Sequence, residues 1–174
     1  PVNNTWAQKA NYLGGNRQDI DKAVFVICNK AYMGTGVDVN STFYNDFWEY
    51  DPLANTWTQK ANFPAAPRMG ATGFSIGSRG FLGLGFDNTY SYTSDFWKYN
   101  PFTNSWSAVT VFPGGVRFDA PAFVINNKAY TGCSSGPIIF YNDLWEFTPD
   151  SVIGGGSITA ASNTTLCVGN AVTL

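Results

Sequence analysis

Short apolar runs separated by glycine, proline and asparagine dominate the pattern of this chain. Runs of this length are typical of β-strands and too short for most helices. The stretch from Arg68 to Gly115 divides into several such runs, and the residues at each break supply the backbone angles of tight turns. We therefore predict four strands in this stretch: Ala71–Ile76, Phe81–Leu84, Phe96–Tyr99 and Ser105–Val109.

The same order of runs occurs on both sides of this stretch. The preceding residues predict the strands Ala23–Ile27, Ala31–Gly34, Phe47–Tyr50 and Thr56–Lys60. The following residues predict the strands Pro121–Ile125, Ala129–Gly132 and Leu144–Phe147. All six tryptophans keep the same period, as Trp6, Trp57 and Trp106 in one series and Trp48, Trp97 and Trp145 in another. A repeat of about 50 residues with four short strands is typical of β-propellers, which have one blade per period.

A longer motif recurs at the third predicted strand of each period. Its copies are Asn45-Asp46-Phe47-Trp48-Glu49-Tyr50-Asp51-Pro52, Ser94-Asp95-Phe96-Trp97-Lys98-Tyr99-Asn100-Pro101 and Asn142-Asp143-Leu144-Trp145-Glu146-Phe147-Thr148-Pro149. Together with an arginine at the start of each repeat, this motif resembles the kelch repeat. The resemblance covers residues 1–149 and implies an all-β, kelch-type β-propeller with about three blades of four antiparallel strands. Because three blades are fewer than the usual four to eight, we predict that they are part of a larger propeller, completed by other domains or by other copies.

The glycine pair typical of kelch repeats is altered in this chain. The corresponding segments read Gly34-Thr35-Gly36, Gly83-Leu84-Gly85 and Gly132-Cys133. This variant is similar to the kelch arrays of secreted and surface-attached bacterial proteins. The resemblance therefore implies a secreted or cell-surface location and a role in adhesion or protein binding.

The repeats predict the domain boundaries. Residues 1–16 would form the last strand of a preceding blade, followed by blades at 17–67 and 68–116 and by a blade at 117–149 that lacks its fourth strand. Residues 4–9 should then pair with the third strand of an upstream blade or with residues 144–147. Residues 150–157 have the composition of a flexible linker. Residues 158–174 resemble the start of an immunoglobulin-like module, and a disordered tail is the alternative.

Composition narrows the classes of function. The net charge of −2 gives no basic surface for nucleic acid, and no apolar run is long enough to span a membrane. Histidine is absent, which removes the commonest general base and most transition-metal sites, so we predict no cofactor and no metal. Cys28 lies in an apolar run and is expected to be a small buried residue, whereas the partner of Cys167 stays open.

Few residues are candidates for catalysis. The only glutamates, Glu49 and Glu146, occupy one repeat position and follow the repeat instead of interrupting it, so we predict no enzymatic activity. The repeated aspartates at the start of the third strand are expected to cap backbone N–H groups, and the tryptophans are expected to be core. The alternatives are a carbohydrate-active enzyme, of oxidase or mutarotase type, whose catalytic residues lie in missing blades, and a structural spacer or filament module.

The predicted loops between the second and third strands are the long ones, at residues 37–44, 86–94 and 134–142. Aromatic side chains among small polar residues suit recognition, so we predict that a protein or glycan ligand binds at this end. The candidate binding residues are Phe43, Tyr44, Tyr90, Tyr92, Phe140 and Tyr141. Arg17, Arg68 and Arg117 are expected to open the innermost strands, where they either form a basic ring for an anionic group or pair with neighbouring carboxylates.

Overall fold

The computed structural model describes residues 4–20 and 22–150. These residues form strands, turns and irregular segments without a helix, so the all-β class is confirmed for them. No helix that could cross a membrane is present in this part of the chain. The predicted module or tail at 158–174, and the predicted linker from residue 151 onward, lie outside the described residues.

Thirteen strands form four antiparallel sheets. The first sheet has the order β1-β2-β3-β4, the second β6-β7-β9-β10 and the third β11-β12-β13, while the small sheet pairs β5 with β8. The bounds are β1 Val24–Ile27, β2 Lys30–Gly34, β3 Phe47–Asp51, β4 Thr56–Lys60, β5 Arg68–Met69, β6 Thr72–Ile76, β7 Arg79–Gly83, β8 Phe86–Asp87, β9 Phe96–Asn100, β10 Ser105–Ala108, β11 Ala122–Ile125, β12 Lys128–Gly132 and β13 Leu144–Phe147. Every strand predicted for the three large sheets is found, with ends shifted by at most two residues.

Tight turns join the first two strands in the first and third sheets. The φ angles are 51° and 62° at Cys28 and Asn29, and 50° and 60° at Asn126 and Asn127. Positive φ at both central residues is the type I′ turn, whose twist matches that of the flanking strands. Cys28 is therefore a half-buried turn residue and not part of the buried strand, as the apolar run had suggested.

Glycine ends the second strand because another backbone passes close to it. A Cβ atom on Gly34, Gly83 or Gly132 would lie 2.3, 2.1 or 2.1 Å from a carbonyl oxygen at the start of the third strand. The next residues, Thr35, Leu84 and Cys133, have φ angles of 63°, 56° and 47°. The second position of the altered glycine pair thus keeps the left-handed backbone that glycine adopts most easily, with side chains in its place.

The small sheet was not predicted. Its strands β5 and β8 pair Arg68 with Asp87 and Met69 with Phe86. Single bridges between Gln18 and Val37 and between Phe118 and Ser135 occupy the corresponding places in the other two repeats. Arg68 therefore lies in the short strand β5, and Arg17 and Arg117 lie several residues before β1 and β11. The expectation that each arginine opens the innermost strand is wrong.

Phenylalanine and tyrosine form most of the core between the sheets. Phe47 of the first sheet is fully buried against Tyr99 and Trp106 of the second, with ring centroids 4.9 Å apart in both pairs. In the same way, Phe74 and Phe81 of the second sheet contact Phe147 of the third. The tryptophans are not core residues: Trp48, Trp57, Trp97 and Trp106 are half-buried at its edge, and Trp6 and Trp145 are exposed.

The large sheets pack in chain order through their first strands. Strand β6 contacts β1 of the first sheet and β11 of the third, and no strand of the first sheet contacts a strand of the third. Residues 4–9 form no strand, so the predicted pairing with residues 144–147 is wrong for a single chain. The physical reason is distance. Residues 4–9 precede the first sheet along the chain, and the strands of that sheet do not contact the third sheet, in which β13 is the outermost strand.

Candidate functional site

Each repeat contains an arginine, an aspartate and a tryptophan in the same contact. The guanidinium Nη1 lies 2.5, 2.6 and 2.7 Å from a carboxylate oxygen in the pairs Arg17–Asp46, Arg68–Asp95 and Arg117–Asp143. The other carboxylate oxygen accepts a hydrogen bond from the indole Nε1–H two residues further on, at 2.7, 2.9 and 2.7 Å, in Trp48, Trp97 and Trp145. The prediction that these aspartates cap backbone N–H groups therefore missed their main partners.

The arginine side chains are almost completely buried, with exposed fractions of 2%, 2% and 0%. They also donate to backbone carbonyls, as Arg17 does to Thr35 and Gly14, Arg68 to Leu84, and Arg117 to Gly114. Buried guanidinium groups with this many acceptors fix the segments between the sheets. Two roles were predicted for the arginines, a basic ring and pairing with neighbouring carboxylates. In the structure each arginine pairs with an aspartate.

An aromatic ring or a hydroxyl covers each guanidinium on the loop side. Tyr44 stacks on Arg17 with 3.9 Å between the guanidinium carbon and the ring centroid, and Tyr141 stacks on Arg117 at 4.0 Å. In the middle repeat the hydroxyl of Thr93 accepts from Arg68 at 2.9 Å instead. Two predicted binding residues, Tyr44 and Tyr141, are thus half-buried parts of the arginine contacts.

The ion pairs change the acidity of the aspartates. The hydrogen bond from Arg117 is the largest cause that lowers the pKa of Asp143, to about 2. Burial acts to raise the pKa of Asp95, but the hydrogen bond and charge of Arg68 outweigh it and the pKa is lowered. Both carboxylates are therefore ionised at neutral pH and held as structural anions, unsuited to donating a proton.

Aspartates hold the backbone of two of the three long loops, at residues 37–44 and 86–94. Asp87 Oδ1 accepts hydrogen bonds from the backbone N–H groups of Thr89 and Ser91 and from the Thr89 hydroxyl, at 2.9, 3.1 and 2.6 Å. In the preceding repeat, Asp38 Oδ1 accepts from two backbone N–H groups in the same way. Such Asx-type contacts hold a turn in one conformation without strand pairing. The structure therefore fixes the backbone of both loops from within.

A cluster of aromatic rings connects the long loops of the first and second repeats with Phe118 at the start of the third. Tyr90 contacts Phe43 and Phe86 at centroid distances of 6.4 and 6.0 Å, Phe86 contacts Tyr92 at 5.0 Å, and Tyr92 contacts Phe118 at 6.4 Å. We call these five residues the aromatic cluster. Three of them, Phe43, Tyr90 and Tyr92, were predicted as binding residues.

Exposure differs within this end of the molecule. Tyr90 exposes 74% of its surface, whereas Phe43 and Tyr92 are half-buried beside it. Phe140 is 85% exposed but makes no ring contact with the aromatic cluster, and its neighbour Ile138 is 98% exposed. Tyr90 is therefore the predicted residue that combines exposure with a rigid setting.

Sequence reasoning missed Phe86, Phe118 and the exposed Ile138. Phe86 begins the predicted loop 86–94, whereas Phe118 reaches the loop of the third repeat through its bridge to Ser135, a pairing that was not predicted. The sequence does contain a signal for Phe118. This aromatic residue directly follows a repeat arginine, at a position where the other repeats have Gln18 and Met69.

The carboxylate of Glu49 is surrounded by hydrogen-bond and ion-pair partners. Glu49 accepts from the Tyr32 hydroxyl at 2.6 Å and lies 2.9 and 3.4 Å from the ammonium groups of Lys30 and Lys60. Burial acts to raise the pKa of Glu49, but these partners lower it, so the carboxylate is a structural anion. In the described ranges, no three or more acidic or cysteine side chains lie close enough together to hold a metal ion.

No known family model matches the chain, and no curated protein aligns with it significantly.

Proposed function

We propose that this chain is a kelch-type β-propeller array without enzymatic activity, which binds a protein or glycan outside the cell through its long loops. The observation that carries the proposal is the aromatic cluster, in which exposed Tyr90 packs against Phe43 and Phe86. Rigid aromatic surface among small polar groups is typical of recognition sites, because little side-chain entropy is lost on binding.

The fold part of the proposal is supported by the regularity of the sheets. Two sheets have the same four-stranded antiparallel order, the third has the first three strands of that order, and β6 packs between β1 and β11. First strands that gather together, with later strands further out, are the arrangement of propeller blades. The repeated arginine, aspartate and tryptophan contacts lock each of these units in the same way.

The proposed binding role is supported by a difference between the carboxylates, which make structural contacts, and the loop tips, which present aromatic rings. Asp46 and Glu49 are engaged in ion pairs, and Asp87 is engaged in turn contacts. The loop tips instead present rings and hydroxyl groups around Tyr90 on a backbone that Asp87 pins. A site of this kind favours binding over proton transfer, and a neutral polar or apolar ligand surface over a strongly charged one.

A binding screen with matched variants tests the proposal. The native chain would be applied to a glycan array and to a display library of extracellular protein domains, and the best binder would be titrated. Tyr90→Ala should weaken binding by about 1–2 kcal/mol, roughly fivefold to thirtyfold, because a central aromatic anchor is lost. The matched control is Phe102→Ala, since Phe102 is also an exposed aromatic residue, at 64%, but lies in the turn between β9 and β10.

The two variants separate the possible results. Loss of affinity in Tyr90→Ala with unchanged affinity in Phe102→Ala supports binding at the loops. Equal affinity in Tyr90→Ala and the native chain, or loss only in Phe102→Ala, contradicts it. Labelling of intact source cells with an antibody against the chain tests the proposed secreted or cell-surface location, which an exclusively internal signal would contradict.

A further inference from the structure

The third sheet has no fourth strand among the described residues, whereas residues 4–9 have the sequence of a fourth strand. In the first and second sheets the third strand pairs with a fourth, and these fourth strands carry Trp57 and Trp106. Strand β13 has no such partner among the described strands. Residues 4–9 have the sequence of a fourth strand, Asn-Thr-Trp-Ala-Gln-Lys, but are unpaired, and the Trp6 side chain is fully exposed.

A cleft of about 1120 Å³ opens between the second and third sheets, at the place where such a tryptophan would be. Between the first and second sheets, Trp106 contacts Phe47, Phe63 and Tyr99, with ring centroids 4.9, 5.5 and 4.9 Å away. One repeat later these positions are Phe96, Phe112 and Phe147, and all three line the cleft. The cleft therefore has the aromatic surroundings of a Trp106 site without its tryptophan.

The repeat also places a backbone carbonyl beside the cleft where it could accept a hydrogen bond from an indole N–H. The indole Nε1–H of Trp57 donates to the carbonyl of Ala10 at 3.1 Å, and that of Trp106 donates to the carbonyl of Ala61 at 2.9 Å. The residue at the next equivalent position is Thr110, which also lines the cleft. A tryptophan in the cleft would thus find its usual carbonyl acceptor.

Charge complements the edge of the third sheet as well. Glu49 in the first sheet contacts Lys30 and also Lys60, which belongs to the fourth strand. Its equivalent, Glu146, contacts Lys128 at 2.6 Å, and the repeat places Lys9 where Lys60 stands. A strand formed by residues 4–9 beside β13 would therefore bring the second lysine to this carboxylate.

Apolar side chains on the outer face of the third sheet are exposed at the positions that are buried in the first sheet. Phe123, Ile125 and Leu144 are 47%, 53% and 60% exposed, although their equivalents in the first sheet are buried beneath the second sheet. The first sheet carries Tyr50 and Trp57, which correspond to the Tyr99 and Trp106 that cover the first sheet. One end of the molecule is therefore complementary to the other.

We propose that a second copy of this chain docks head to tail on the third sheet. Residues 4–9 of the second copy add to β13 in the register of the other sheets, with Trp6 opposite Phe147 and its indole in the cleft. The first sheet of the second copy then covers Phe123 and Leu144. This interface is heterologous, because two different surfaces meet, and it repeats contacts that already occur twice within one chain. It does not depend on the ligand proposed above.

The test measures the mass of the chain in solution by light scattering and sedimentation. The native chain should have a mass of at least two copies of 19.0 kDa. Trp6→Ala should shift it to one copy, and because Trp6 is fully exposed in a single chain, its circular dichroism should not change. Val39→Ala is the matched control, since Val39 is 94% exposed in a long loop, and its mass should equal that of the native chain.

A mixing experiment identifies which surfaces meet. Leu144→Asp places a charge on the outer face of the third sheet and should also give single copies. Mixed together, the two variants should form pairs, because Leu144→Asp chains keep residues 4–9 and Trp6→Ala chains keep the third sheet. A native chain that remains a single copy at high concentration overturns the proposal. So does a Trp6→Ala chain with native mass, or a mixture that forms no pairs while both variants keep native circular dichroism.

Discussion

The first and third sheets have nearly the same sequence pattern but opposite exposure. Phe47 and Leu144 begin the third strand of their sheets, yet Phe47 is fully buried and Leu144 is 60% exposed. The same contrast separates Phe25 from Phe123, which are 5% and 47% exposed. The alternation of side chains therefore determines which face of a strand is apolar, and the neighbouring sheet determines whether that face leaves water.

The comparison predicts that one substitution will have very different costs in the two sheets. Phe47→Ala should lower the free energy of unfolding by about 3–5 kcal/mol, because it removes a ring packed against Tyr99 and Trp106. Leu144→Ala in a single chain should change it by less than about 1 kcal/mol, since little buried surface is lost. Urea denaturation of both variants, with Trp6→Ala as the background, measures the difference. Equal costs would contradict the burial contrast.

The arginine contacts should sharpen the comparison, because they are complete in both regions. Arg17→Met and Arg117→Met should each cost about 2–4 kcal/mol, since a carboxylate loses its partner and at least one backbone carbonyl loses a donor. Arg79→Met is the control and should stay within about 0.5 kcal/mol, because the Arg79 guanidinium donates to the adjacent Ser78 and lies over the exposed ring of Phe102, with no ion pair among the described residues. Chemical denaturation provides the values. A much smaller cost at Arg117 than at Arg17 would show that the third repeat is weakened throughout.

A single hydroxyl group gives the next smaller effect. Tyr32 and Tyr130 each donate to a glutamate, at 2.6 and 2.8 Å, but only the Tyr32 contact is buried. Tyr32→Phe should cost about 1.5–3 kcal/mol, because a buried carboxylate loses a donor, while Tyr130→Phe should cost less than about 0.5 kcal/mol. Thermal unfolding of the two variants side by side is sufficient. Similar losses would mean that burial does not set the value of this hydrogen bond.

The smallest effect concerns acid stability. The pKa of Asp143 is lowered to about 2 in the folded chain, so its ion pair stabilises the fold above the ordinary carboxylate pKa and is lost as the pH falls through about 2. The contribution should be about 1 kcal/mol or less, because a third of the Asp143 side chain is exposed. The difference in melting temperature between the native chain and Asp143→Asn should therefore be largest above pH 4 and close toward pH 2. A difference that grows in acid would contradict the assigned sign.

Sequence reasoning reached the strands and the repeated contacts better than the site. The strand ends were predictable because the turns contain asparagine and glycine at fixed places, as at Asn126 and Gly77. The burial of the arginines was only one of two alternatives, since no local pattern distinguishes a basic surface from a set of buried ion pairs. The exposure of Trp6 was missed because the repeat predicts a fourth strand at residues 4–9, whereas none of the described strands pairs with these residues.

The contacts of Phe86 and Phe118 were beyond sequence reasoning for another reason. They depend on two-residue pairing between segments that have no apolar alternation of their own. Tyr44 and Tyr141 look like loop residues in the text, but their rings stack on arginines that lie more than 20 residues away in sequence. Contacts of this kind become visible only when the repeats are placed side by side.

The three large sheets pack in a row, each against the next one along the chain, and this arrangement affects the cooperativity of folding. Strand β6 has partners on both faces, from β1 and β11, whereas the first and third sheets each contact one large sheet among the strands that the structure describes. In such a linear array the stability of a unit is the sum of its own energy and the energy of its interfaces. The middle sheet should therefore be the last to exchange its amide hydrogens, and protection should decline toward both ends of the row.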